Sequence, residues 1–140
     1  MENDEKMIFA RDTVLIIEDD KFLADLLRKK LESHGAKILH ANSGEASLQI
    51  LEDEKPTLII IDILLPGIDG FETLEKIRTE TQIKNVPAIL LSNLEPEENE
   101  KKLEGLENVH LLIKSQFNLD ELVLEITKIL NKTEDKDLPS

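Results

Sequence analysis

Cysteine is absent from this chain, and so are tryptophan and tyrosine. Without cysteine there is no disulfide framework, no thiolate zinc site and no Cys nucleophile. Four phenylalanines are the only aromatic residues, so the core has to be assembled from Leu, Ile and Val. Basic residues are outnumbered: 17 Lys and Arg stand against 30 Asp and Glu, a formal net charge of −13. Phosphate backbones are bound through Lys and Arg, which argues against DNA or RNA as a direct partner and disfavours anionic membranes. No apolar run approaches membrane-spanning length, and Met1–Asp12 has no signal-peptide core. A cytoplasmic protein is therefore expected. There is no P-loop, no repeat and no low-complexity segment. At 140 residues, 40% of them hydrophobic, the chain is expected to form one domain with a real core.

What is present is organised around Leu58–Gly70. Leu58–Ile61 is a short run of large aliphatic residues, mostly β-branched, which reads as a strand buried on both faces, as in a parallel sheet. One charge, Asp62, stands where that strand should end. Pro66, Gly67, Asp69 and Gly70 then mark a loop. A carboxylate is thus expected at the carboxyl end of a buried strand, the edge where ligands collect in open α/β sheets.

Residues 1–12 are polar and read as a flexible leader. Thr13–Ile17 is the first strand and stops at Glu18-Asp19-Asp20. Phe22, Leu23, Leu26, Leu27 and Leu31 follow at helical spacing, and His34-Gly35 ends that helix. Ala36–Ala41 is a half-polar strand expected near a sheet edge. Ser43 is placed to cap a second helix lined by Ser47, Leu48 and Leu51. After the strand to Asp62, Phe71, Leu74 and Ile77 line a third helix. Pro87–Leu91 is a fourth strand, ending at Ser92-Asn93. Pro96–Leu106 is an acidic fourth helix (α4), Val109–Ile113 a fifth strand (β5) ending at Lys114, and Leu119–Leu130 a fifth helix (α5). The folded unit is expected over 13–131, with a flexible tail over 132–140. Five strands alternating with five helices imply a doubly wound parallel α/β sheet whose right-handed crossovers bring every carboxyl end to one edge.

Glu18, Asp19, Asp20, Asp62, Ser92 and Lys114 would share that edge. Clustered carboxylates repel unless a cation intervenes. Mg²⁺ prefers oxygen ligands and needs only one or two carboxylates, which leaves room for phosphate oxygens. A metal on Asp19 and Asp62, with Lys114 and the Ser92 hydroxyl on other phosphate oxygens, would make Asp62 a candidate phosphoryl nucleophile. Read singly, an acidic triplet can simply cap a helix and a lysine after a strand is usually solvated. Their coincidence at successive strand ends is the informative feature.

This constellation resembles the receiver domain of bacterial response regulators, the CheY-like family. The matching pieces are Val14–Asp20, Asp62–Gly70, Pro87–Ser92 and Leu111–Lys114. The resemblance implies a flavodoxin-like sheet with strand order 2-1-3-4-5. It further implies that Asp62 accepts a phosphoryl group from a sensor histidine kinase or a histidine phosphotransfer protein, and that the domain is not an enzyme acting on another substrate. Asp19 would bind Mg²⁺ directly, Glu18 through a metal-bound water, and Leu64 through its backbone carbonyl. Ser92 would be the switch hydroxyl and Lys114 the phosphoryl partner. Phosphorylation would rearrange the α4–β5–α5 face that a downstream protein reads; a homodimer through that face is also open. The family's aromatic switch position, three before the lysine, is Leu111 here. Its proline after the lysine is Ser115, and Asn93 stands where a small residue is common.

Two other readings are carried. A degenerate receiver would keep the fold and serve as a constitutive interaction module. A hydrolase of the haloacid dehalogenase type would need a second acid two residues after its nucleophile, where this chain has Leu64.

Overall fold

The computed structural model describes residues 7–93 and 101–131. Its strands are β1 (Thr13–Ile17), β2 (Lys37–Ala41), β3 (Leu58–Asp62), β4 (Ala88–Ser92) and β5 (Val109–Ile113). The helices are α1 (Lys21–Glu32), α2 (Gly44–Ile50), α3 (Gly70–Glu80) and α5 (Leu119–Ile129), with a short 3₁₀ turn at Lys114–Gln116. Helical backbone at 101–103 is the described part of α4. Residues 96–100 of the helix expected over Pro96–Leu106 lie outside the described residues.

The sheet is parallel throughout, in the order β2-β1-β3-β4-β5. This is the doubly wound, CheY-like order that the resemblance implied. Successive side chains on a strand face opposite ways, and that alternation sorts the core into two layers. Val14, Ile16, Leu58, Ile60, Ile89 and Leu91 pack with α1 and α5 on one face. Leu15, Ile17, Ile59, Ile61, Ala88 and Leu90 pack with Leu74 and Ile77 of α3 on the other, where α2 and Leu103 also join. β3 and β4 are buried at every position, whereas edge strand β2 has the half-polar pattern its sequence suggests.

Side-chain caps set where helices begin. Asp20, Ser43, Asp69 and Asn118 accept backbone N–H bonds in the first turns of α1, α2, α3 and α5, which supplies partners for groups a helix cannot satisfy itself. Gly35, at φ +97°, follows α1 in the left-handed region that glycine tolerates best.

Two expectations need correction. The leader expected over residues 1–12 is not loose throughout: Phe9 is fully buried against the α1–α5 layer and its N–H donates to the His34 carbonyl. Asp12 is buried too and accepts from Thr57 Oγ1 at 3.0 Å. Phe9 lies in the apolar run Met7–Ala10, which is too short to show a strand or helix period, so its burial was not legible. The α1 stripe is also narrower than its spacing suggested. Ala24, Leu27 and Leu31 are buried, whereas Phe22 is 73% and Leu26 37% exposed. Phe22 and Leu26 lie one turn apart on the side away from Ala24.

If Phe9 belongs to the core, Phe9→Ala removes a buried aromatic and should cost about 3 kcal/mol, lowering the melting temperature by roughly 10 °C. An unchanged melting temperature would show that the residues before Thr13 add nothing to the fold.

Candidate functional site

β1 and β3 are neighbours, yet the chain leaves β1 for β2 on one side and later crosses to β3 on the other. That reversal opens a crevice at their carboxyl ends. Glu18 continues the buried row of Val14 and Ile16; Asp62 continues that of Leu58 and Ile60. Strand pleating therefore delivers both acids to the same side of the sheet, and both are buried.

The acidic triplet divides its labour. Glu18 has no exposed surface; its Oε2 accepts the Asp20 N–H at 3.0 Å. Asp20 itself caps α1, accepting from Phe22 N and Leu23 N at 3.0 and 3.2 Å. Asp19, between them, is exposed and makes no side-chain hydrogen bond or ion pair with other described residues. The helix-cap reading of an acidic triplet thus applies to Asp20 alone.

Lys114 opens the 3₁₀ turn after β5, and no cis peptide occurs among the described residues. Its Nζ donates to Asp62 Oδ2 at 3.0 Å and stands 3.4 Å from Glu18 Oε1. The Leu64 N–H donates to Asp62 Oδ1 at 3.2 Å, so both Asp62 oxygens are held. Glu18 Oε1 is buried with the ion pair to Lys114 but no hydrogen bond. Burial lifts the Glu18 carboxyl to about 7, opposed by the Asp20 N–H and aided by the negative charge of Asp62. Burial works against the Lys114 ammonium, but the Asp62 bond and the charges of Glu18 and Asp62 outweigh it and raise its pKa. The lysine therefore stays charged at neutral pH.

The loop after Asp62 is tightly drawn. Gly70 N–H donates to the Ile63 carbonyl at 2.8 Å. A Cβ on Gly70 would meet the Asp62 carbonyl oxygen at 2.5 Å, so only glycine permits this approach. Asp69 Oδ1 accepts Glu72 N–H at 2.8 Å. Glu45, in the first turn of α2, accepts the Ile68 N–H at 3.4 Å. Glu45 and His40, whose Nε2 lies 2.8 Å from the Glu18 carbonyl oxygen, were not singled out from sequence. Neither sits in a motif, and both act through contacts between distant segments.

Of the expected site residues, Glu18, Asp62 and Lys114 are in direct contact. One carboxylate oxygen from each of Glu18, Asp19 and Asp62 lies within 4.8 Å of the other two. Ser92 is buried at the end of β4, one register step beyond the Asp62–Leu91 pair. Asn93 is exposed beside it, and Leu64 is exposed on the loop. Leu111, at the position of the family's aromatic residue, is half-buried and packs on the α2–α3 layer. An all-oxygen donor set with one buried, under-bonded carboxylate oxygen fits a hard divalent cation.

A family model for the response regulator receiver domain matches residues 14–127. The chain belongs to the receiver domain family of two-component response regulators. It is 33% identical over 122 residues to the alkaline phosphatase synthesis transcriptional regulatory protein PhoP of Bacillus subtilis, covering 86% of this chain and 49% of PhoP. It is 30% identical over 122 residues to the phosphate regulon transcriptional regulatory protein PhoB of Pseudomonas aeruginosa, covering 86% of this chain and 52% of PhoB. The chain thus spans about half the length of these relatives. Among solved structures, a Francisella response regulator receiver domain superposes with a TM-score of 0.75 at 29% identity, covering 87% of this chain and 98% of that one. In this receiver domain the acid set and Lys114 converge, and nothing favours the degenerate reading. No helix among the described residues is long and apolar enough to cross a membrane.

Glu18 generates a prediction about the metal-free state. A carboxyl whose folded pKa is raised binds more protons folded than unfolded between about pH 4.5 and 7. Folding stability therefore falls as pH rises through that window. In EDTA, Glu18→Gln, which keeps an acceptor for Asp20 but cannot ionise, should gain on the order of 2 kcal/mol over wild type between pH 5 and pH 8. Chemical denaturation at the two pH values measures this; a constant difference would mean that Glu18 is not strained by its charge.

Proposed function

We propose that Asp62 accepts a phosphoryl group from a sensor histidine kinase or histidine phosphotransfer protein and thereby switches a protein-binding surface. The observation that carries this is Lys114 drawn between two buried carboxylates, Asp62 and Glu18, at the crevice of the sheet. Glu18, Asp19, Asp62 and the Leu64 backbone carbonyl would hold Mg²⁺. When bound, that ion offsets the negative charge of the carboxylates and of an incoming phosphoryl group.

The residues divide the remaining work. Asp62 is pre-positioned by Leu64 and Lys114, so little reorganisation precedes attack. A carboxylate oxygen of Asp62 forms the new O–P bond. The donor's P–N bond, or P–O bond for an acyl phosphate, breaks, and its electron pair leaves with the donor. Lys114 then transfers its charge-assisted hydrogen bond to a phosphoryl oxygen, and Ser92 donates its hydroxyl to another. Movement of Lys114 and Ser92 pulls on the ends of β5 and β4, next to the α4–β5–α5 face. A downstream protein reads that face, and a homodimer through it is a second use of the same surface. With Leu111 in the aromatic position, the switch runs through aliphatic repacking and the Ser92-Asn93 segment.

The domain is a phosphoacceptor, not an enzyme for an external substrate. Its folded unit runs from the Met7–Asp12 segment to about Asn131. The cytoplasm is the location that suits its kinase partner. With 17 basic against 30 acidic residues, the surface of this domain suits a protein partner better than nucleic acid.

Incubation with Mg²⁺ and acetyl phosphate, followed by intact mass measurement, tests the reading. Wild type should gain one phosphoryl group, and Asp62→Ala should gain none. No gain by a folded wild type that binds Mg²⁺ would instead favour a constitutive interaction module.

A further inference from the structure

The β1–β2 ladder ends just as the metal site begins. Its last paired residues are Ile17 and Ala41, and the Glu18 N–H donates to the Ala41 carbonyl at 3.0 Å. In a parallel ladder the next bond would run from the Ser43 N–H to the Glu18 carbonyl. The chain has already left the sheet there: Ser43 is the N-cap of α2, its side chain engaged with Ala46 N–H. Glu18 would thus have lost the partner for its carbonyl at the point where its side chain enters the site.

His40 supplies the missing donor. Its Nε2 lies 2.8 Å from the Glu18 carbonyl oxygen. A carbonyl can only accept, so Nε2 carries the hydrogen, in the neutral Nε2–H tautomer or in the imidazolium. Strand β2 therefore holds both ends of the Glu18 backbone: the amide through Ala41 and the carbonyl through His40.

The consequence falls on Asp19. The Glu18 carbonyl belongs to the planar peptide whose nitrogen is that of Asp19. Holding the oxygen holds the plane, and with it the direction from which the Asp19 side chain departs. Asp19 has no side-chain hydrogen bond or ion pair among the described residues to orient it otherwise. Its carboxylate nonetheless lies within the 4.8 Å cluster with Glu18 and Asp62.

We infer that His40 is a positioning residue of the cation site: through the Glu18 carbonyl it keeps the Asp19 carboxylate in line with Glu18 and Asp62. This role rests on the magnesium reading of the site. It is carried by one side chain on an edge strand, outside every motif of the site itself. The ordinary alternative is that His40 only secures the end of an edge strand, in which case it contributes to folding and not to cation affinity.

Calorimetric Mg²⁺ titration of the full chain, paired with melting in EDTA, separates these roles. Three variants are compared with wild type. His40→Phe and His40→Val keep a residue suited to a strand but lose the donor, and His40→Gln keeps a donor of similar reach. Wild type and His40→Gln should bind Mg²⁺ alike. His40→Phe and His40→Val should bind about three- to tenfold more weakly, with EDTA melting temperatures within about 2 °C of wild type. Equal Mg²⁺ affinity in all four proteins overturns the inference while leaving the site intact. So does a large drop in EDTA melting temperature with affinity unchanged. Failure of wild type itself to bind Mg²⁺ removes the magnesium reading, and the role of His40 with it.

Discussion

Lys114 Nζ stands 3.0 Å from Asp62 Oδ2 and 3.4 Å from Glu18 Oε1, and both carboxylates are buried. Two acids brought together out of water are costly unless something positive lies between them. One ammonium cannot fully serve both. Asp62 takes the shorter contact, and Glu18 is left with a buried oxygen lacking a hydrogen bond and a carboxyl raised to about 7. With Asp19 beside them, three clustered carboxylates face one ammonium, so the site carries more negative charge than its own residues neutralise, and such a donor set suits a cation.

The sheet exists in the form that keeps this tension. Asp62 sits at the end of β3, whose five residues are all buried, so the carboxylate cannot retreat into water without dragging the core. Gly70 lets α3 begin against the Asp62 carbonyl, and Asp69 caps that helix. On the other side, Glu18 is tied through its backbone to β2 and through its side chain to Asp20, the N-cap of α1. Site and scaffold share hydrogen bonds: the Asp62 side chain joins the end of β3 to Lys114 just after β5, and the Glu18 backbone joins the end of β1 to β2.

Much of this was legible in the sequence because it rests on local pattern. Buried strands announce themselves as aliphatic runs, and polar residues at their ends mark one edge of a parallel sheet. Glu18, Asp62 and Lys114 were found that way, and the structure brings them into contact. Other features rest on long-range placement and left no local trace. Phe9 stands in a four-residue apolar run before the first strand, too short to carry a period, yet it fills the α1–α5 layer. Phe22 and Leu26 look like core residues by spacing, but the helix turns its Ala24–Leu27–Leu31 side inward. His40 is one histidine in an edge strand, and only the ladder's end beside Glu18 gives it meaning. The role of Asp20 as a cap, distinct from its two acidic neighbours, also needed the backbone geometry.

The central claim is that a phosphoryl group fits at Asp62, between Lys114, Ser92 and a cation on the acidic cluster. A crystal structure grown with Mg²⁺ and beryllofluoride, a phosphoryl mimic, tests it most directly. The account predicts the mimic on the Asp62 carboxylate, with Lys114 Nζ moved from that carboxylate to a fluorine and Mg²⁺ on Asp19 and Asp62. Beryllofluoride absent from Asp62, or Mg²⁺ bound away from the acidic cluster, would contradict it.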